Sequence, residues 1–169
     1  MTSNDILNIF KEITTVPRES GHEEKIGKWL FDFAKKHNLP AKKDKAGNVL
    51  ITKPADKGME KVPTFIMQSH CDMVCEKNTG VKHDWSKDPI DYKEEDGWLV
   101  AHDTTLGADC GIGMASQLAV LIDPELKTGK VEALFTTSEE TGLDGAKALD
   151  PKFVTGNILL NLDSEDEGQ

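Results

Sequence analysis

Hydrophobic positions in the first 40 residues recur at helical spacing. Ile6, Ile9, Phe10 and Ile13 fall on one helix face, and Pro17 breaks the run. Ser20 followed three residues later by Glu23 has the form of a capping box, which predicts a second helix whose buried face carries Ile26, Trp29, Leu30 and Phe33. From residue 48 the period changes. Residues 48–52 and 63–68 are short apolar runs rich in β-formers, separated by a polar loop over 54–61. A further strand is predicted over 98–101, then a buried helix over 111–121 with Ile112, Ala115, Leu118 and Ala119 on one side. Residues 130–136 and 156–162 complete the strands, and their near-continuous apolar character suits central strands covered on both faces. The predicted architecture is α/β, a three-layer αβα sandwich around a mixed, mostly parallel sheet.

Composition sets the limits of this picture. A chain of 169 residues is long enough for one domain, and 37% hydrophobic residues in regular patterns argue against disorder. Thirty Asp and Glu against twenty Lys and Arg give a net charge of −10, which argues against a nucleic-acid partner, since that needs a basic stripe. The first ten residues lack a basic segment followed by an apolar one, so no secretion signal is expected. No apolar run approaches the roughly 18 residues of a membrane span, so no membrane partner is expected either. Cys71, Cys75 and Cys110 form no CxxC pair, and an odd count points to reduced thiols and a cytoplasmic location.

The placement of the polar residues is more informative than their number. The strand ending near Gln68 runs into Ser69-His70-Cys71-Asp72, the one ending near Thr137 into Ser138-Glu139-Glu140, and the last into Asp163-Ser164-Glu165-Asp166. In open α/β sheets ligands sit beyond the carboxyl ends of the strands, so parallel strands would gather these groups on one rim. Asp109 joins them from a glycine-rich segment that opens the 111–121 helix. One histidine among several carboxylates is a donor set for zinc, manganese or cobalt rather than for an all-oxygen calcium cage. Asp72 is spaced to hold the far nitrogen of the His70 ring. Of the Glu139–Glu140 pair, one carboxylate can bind metal while the other takes a proton from a metal-activated water. Each element alone has a plainer reading: a chance His-x-Asp, a solvated Glu-Glu turn, an acidic tail, a tight glycine turn. Their joint occurrence in this order is what carries the argument.

In these motifs the chain resembles the dinuclear zinc peptidases and deacylases, and within them the aminoacyl-histidine dipeptidases. The matching stretches are Val16-Pro-Arg-Glu-Ser-Gly-His-Glu23, Gln68-Ser-His-Cys-Asp-Met-Val-Cys-Glu-Lys-Asn78, Thr104-Thr-Leu-Gly-Ala-Asp109, Thr136-Thr-Ser-Glu-Glu-Thr-Gly142 and Leu160-Asn-Leu-Asp-Ser-Glu-Asp-Glu-Gly168. The resemblance implies hydrolysis of small unblocked dipeptides, typically with histidine second. It implies two divalent metal ions, zinc before manganese or cobalt. His70 and Asp163 would hold one, Glu140 the other, and Asp109 would bridge them, with Asp72 orienting His70 and Glu139 as general base. A related aminoacylase or deacylase, or a non-catalytic metal binder, shares the same ligands; a free base beside the ligands disfavours the last.

Cys110 departs from the family pattern, which usually has asparagine after the bridging aspartate, and His102-Asp103 replaces the usual Asp-Gly. Cys110 is read either as an added thiolate donor or as a small residue at a helix start. The resemblance further implies that residues 1–169 are the N-terminal portion of a catalytic domain. A lid and dimerisation domain, the rest of the catalytic sheet and a last histidine ligand would follow beyond residue 169. The full-length enzyme would be a homodimer, and this portion alone would bind its second metal weakly and hydrolyse little.

Overall fold

The computed structural model describes residues 2–164, so residues 165–168 of the acidic motif lie outside it. The amphipathic N-terminal run forms helix α1 (Ser3–Ile13), capped by Thr2 and Asp5 in a reciprocal capping box. Helix α2 (Glu24–Lys36) follows, burying Ile26, Leu30 and Phe33 with Trp29 partly covered. The predicted Ser20–Glu23 capping box does not form: α2 begins at Glu24 with no side-chain cap. Ser20 and Glu23 instead spend their side chains on loops far along the chain, Ser20 Oγ donating to Asp72 and Glu23 accepting from Ser138.

Five strands make the central sheet: β1 (Ala41–Lys43), β2 (Val49–Lys53), β3 (Phe65–His70), β6 (Val131–Thr136) and β7 (Ile158–Asn161), in the order β1-β2-β6-β3-β7. The first two pairings are antiparallel and the last two parallel, so β6, β3 and β7 point their carboxyl ends the same way. Strand alternation assigns the two faces. Val49, Ile51, Met67, Ala133 and Phe135 meet α1, α2 and helix α3 (Ala108–Ile122) on one side. Leu50, Ile66 and Leu134 meet Leu149, Phe153 and Val154 on the other, beside the short helix α4 (Asp144–Lys147) and a 3-10 turn (Pro151–Phe153). The second layer is thus thinner than the first.

Three details depart from the sequence pattern. The strand predicted over 98–101 forms as β5 (Trp98–Ala101), but it pairs with β4 (Tyr92–Glu95) in a separate hairpin closed by Asp96-Gly97, and Trp98 is 74% exposed. The two turn residues take the positive φ that a tight hairpin needs. Strand β7 lies at the sheet edge, with Ile158, Leu159 and Leu160 about half exposed rather than covered on both faces. Ile112 of α3 turns outward, while Ala115, Leu118 and Ala119 are buried as expected and are joined by Met114 and Gln117.

One buried charge fixes the entry into β7. Glu132 on β6 accepts hydrogen bonds from the backbone N–H of Thr155 at 2.7 Å and of Gly156 at 3.2 Å, and from Thr155 Oγ1 at 2.6 Å. Lys130 Nζ lies 2.9 Å from the same carboxylate. Burial pushes the Glu132 carboxyl up, but these donors outweigh it and bring it down to about 2. A depressed pKa contributes stability above the ordinary glutamate value and loses it as pH falls toward the folded value. Glu132→Gln is therefore expected to destabilise the chain by about 1–3 kcal/mol at pH 7. The gap should close as pH approaches 2, as followed by urea unfolding at several pH values; a constant gap would contradict this account.

Candidate metal centre

Four chain segments deliver the candidate ligands. His70 is the last residue of β3, Glu139 and Glu140 follow β6, Asp163 follows β7, and Asp109 sits at the start of α3. Because β3, β6 and β7 are parallel, the first three segments emerge on one rim, where ligands bind in open α/β sheets. Asp109 reaches the same rim because the first turn of α3 is not helical: Asp109 has φ −81° and ψ 121°. Close approach of α3 to the chain after β7 depends on Gly113, where an added Cβ would lie 3.2 Å from the Leu162 carbonyl.

His70 is the centre of the arrangement and is 1% exposed. Its Nδ1 lies 3.1 Å from the Asp72 backbone carbonyl and 3.4 Å from the Asp72 carboxylate. With Nδ1 held there, Nε2 is aimed into the cluster, 2.9 Å from Asp109 Oδ1 and 3.8 Å from Asp163 Oδ2. A histidine with one nitrogen anchored and the other facing carboxylates is the arrangement a divalent cation requires. Donor atoms of His70, Asp109, Cys110 and Asp163 all lie within 4.8 Å of one another, and those of His70, Glu139 and Glu140 form a second such group. The structure therefore brings together His70, Asp109, Glu139, Glu140 and Asp163.

Asp72 is fully buried and ties the cluster together. Its carboxylate accepts from Ser20 Oγ at 2.7 Å, from the Glu139 N–H at 3.1 Å and from the Glu140 N–H at 3.3 Å. It thus contacts the His70 ring and the Glu139–Glu140 turn together. Asp72 lies past the end of β3, and its contact with the ring's Nδ1 is shared between its carboxylate and its own backbone carbonyl.

Electrostatics of the cluster are those of acids crowded around one base. Burial disfavours protonated His70, but hydrogen bonds to Asp72 and Asp109 outweigh it and raise the ring to about 9. Burial, joined by repulsion from neighbouring carboxylates, holds Glu139, Glu140 and Asp163 above their ordinary values despite His70 nearby. Carboxylates held near one another in this way are relieved by a bound cation.

The two readings of Cys110 both find support. Its Sγ is within reach of the first donor group, and it also donates to the Leu162 carbonyl at 3.6 Å from a buried position. Burial pushes its thiol up to about 12. His22, His37, His83 and His102 belong to neither donor group; His37 packs at a tilt against Phe33, His83 meets Trp85 edge-on, and His102 pairs with Asp91. Three residues gain a role the pattern did not assign: Arg18, Ser20 and Glu23, all in the loop between α1 and α2. Their sequence signals are the family-matching stretch Val16–Glu23 and a dense polar run, which also matches a helix start.

No protein-family model matches the chain. Its sequence is 43% identical over all 169 residues to the cytosol non-specific dipeptidase of Escherichia coli strain K12, covering 35% of that protein. The solved structure of aminoacylhistidine dipeptidase from Vibrio alginolyticus matches with a TM-score of 0.94 and 42% identity, over 99% of this chain and 34% of that one. A tripeptidase structure from Staphylococcus aureus matches with a TM-score of 0.82 and 25% identity, over 98% of this chain and 44% of that one. The chain spans about a third of the length of the first two relatives. Along its whole length the chain is similar to these bacterial peptidases, and it shares their α/β fold.

Proposed function

We propose that this chain supplies the metal-binding core of a dipeptidase acting on small unblocked dipeptides, with Xaa-His substrates preferred. The observation that carries the reading is the buried His70, with Nδ1 anchored and Nε2 facing Asp109 and Asp163, and with Glu139 and Glu140 beside the same ring. In this reading His70 and Asp163 hold one divalent ion, Glu140 the other, and Asp109 lies between them. Zinc is the first choice, with manganese or cobalt as alternatives. Two such ions would polarise the scissile carbonyl and lower the pKa of a shared water.

The chain's own residues supply the rest. In this reading Glu139 is left free of the metal, and burial with carboxylate repulsion holds its carboxyl above its ordinary value. That suits a base that takes a proton from the attacking water and passes it to the leaving amine nitrogen. Asp72 fixes where Glu139 stands by accepting its backbone N–H. A cytoplasmic location belongs to the same proposal. All three cysteines are free, and among the described residues no helix is long and apolar enough to cross a membrane.

In a peptidase that carries this chain, Glu139→Gln is expected to lower dipeptide hydrolysis by about 10²–10⁴-fold, the usual contribution of a positioned acid–base group. Bound metal should stay unchanged, measured by elemental analysis of the same preparation. Turnover near the original rate would remove Glu139 as the base, and loss of metal would make it a ligand instead.

A further inference from the structure

Arg18 is 2% exposed, and among the described residues it forms no ion pair. A buried guanidinium without a carboxylate in contact is costly, and burial indeed lowers its pKa. Stability alone gives little reason to keep such a group when an apolar side chain of similar volume would fill the space. Its hydrogen bonds give another reason. Nη1 donates to the Asp72 carbonyl at 2.8 Å, and Nη2 donates to the Gly107 carbonyl. The Asp72 carbonyl is the same oxygen that meets His70 Nδ1, and Gly107 lies two residues before Asp109.

We propose that Arg18 is a positioning residue whose two guanidinium nitrogens lock the turn after β3 to the turn before α3, and so set the His70–Asp109 pair. The proposal rests on the metal-site reading above. The surroundings of Arg18 are built for this fork. The Arg18 carbonyl accepts from the Met73 N–H at 3.0 Å, and Glu19 bridges to Met73, so the loop is also held by its backbone. Gly107 has φ +72°, and a Cβ there would collide with Nη2 and sit 2.7 Å from Met73 Sδ. At Gly111 a Cβ would sit 2.8 Å from the same nitrogen. Glycine at both places leaves room for the guanidinium to reach the backbone. A lysine ammonium keeps the charge but cannot reproduce the planar two-nitrogen fork.

The test compares the 169-residue chain with its Arg18→Lys and Gly107→Ala variants by two readouts. The first is cobalt affinity by calorimetry, with the visible spectrum of the bound ion. The second, on metal-free protein, is the ¹⁵N shift of His70 Nε2, which reports its hydrogen bond to Asp109. Loss of a group that orients ligands commonly weakens metal binding by about 10–100-fold, and that loss is expected for Arg18→Lys together with a moved His70 shift. Affinity within twofold of the original and an unmoved shift would overturn the proposal. If Arg18→Lys does not fold, Gly107→Ala decides: it keeps the guanidinium but displaces it, and unchanged affinity and shift there would equally overturn the role. Failure of the unmutated chain to bind cobalt would sink the metal reading instead, while the His70 shift in the metal-free variants still judges Arg18.

Discussion

Asp72→Ala is expected to cost this chain about 3–5 kcal/mol of stability, the range seen when one partner of a buried charged network is removed. The reason lies in how many groups depend on one carboxylate. Asp72 is fully buried and accepts from Ser20, from the Glu139 N–H and from the Glu140 N–H, while His70 Nδ1 sits 3.4 Å away. Alanine leaves the Glu139 and Glu140 N–H groups without their acceptor, and each orphaned donor costs about 1–3 kcal/mol, while Ser20 and His70 retain only the weaker contacts to the Met73 and Asp72 carbonyls. Burial alone would push the Asp72 carboxyl up, yet the bonds from His70, Ser20 and the Glu139 N–H pull it down to about 2. The ionised form is therefore the one the fold is built around. Urea unfolding at pH 7 measures the loss, and a change under about 1 kcal/mol, the worth of an ordinary hydrogen bond, would mean that Asp72 is not the hub described here.

The second large effect concerns metal. Zinc at a hundredfold excess over its Kd is expected to stabilise the chain by about 2.7 kcal/mol, a rise in Tm of roughly 5–10 °C for a domain of this size. A bound cation would offset the burial and the carboxylate repulsion that now hold Glu139, Glu140 and Asp163 above their ordinary values. His70→Ala takes away the one imidazole donor common to both donor groups, so the zinc-dependent gain should vanish even though the variant's own Tm shifts as well. The comparison is between gains, with and without zinc, by thermal denaturation. An undiminished gain in His70→Ala would place the metal elsewhere.

The clustering of the candidate ligands was legible because they follow strands whose apolar character is plain. The runs that became β3, β6 and β7 end within three residues of His70, Glu139 and Asp163, and parallel pairing brought those ends together. What stayed hidden depends on contacts distant in sequence. Ser20 and Glu23 match a capping box locally, but Asp72 and Ser138 compete for the same side chains from more than 50 residues away. Helix α2 then starts without a side-chain cap. The position of β7 was equally hidden, because an apolar run reads the same at the centre of a sheet as at its edge. Arg18 is the deepest case: nothing in its neighbours in sequence says that an arginine there is buried, since the turns it joins lie 54 and 89 residues away.

The whole reading depends on His70, Asp109 and Asp163 closing around a divalent cation, which equilibrium dialysis of the chain against zinc, followed by elemental analysis, measures. At least one ion should be retained by the unmutated chain and lost in both His70→Ala and Asp109→Asn. No retained zinc in the unmutated chain, or the same content in all three proteins, would rule this site out.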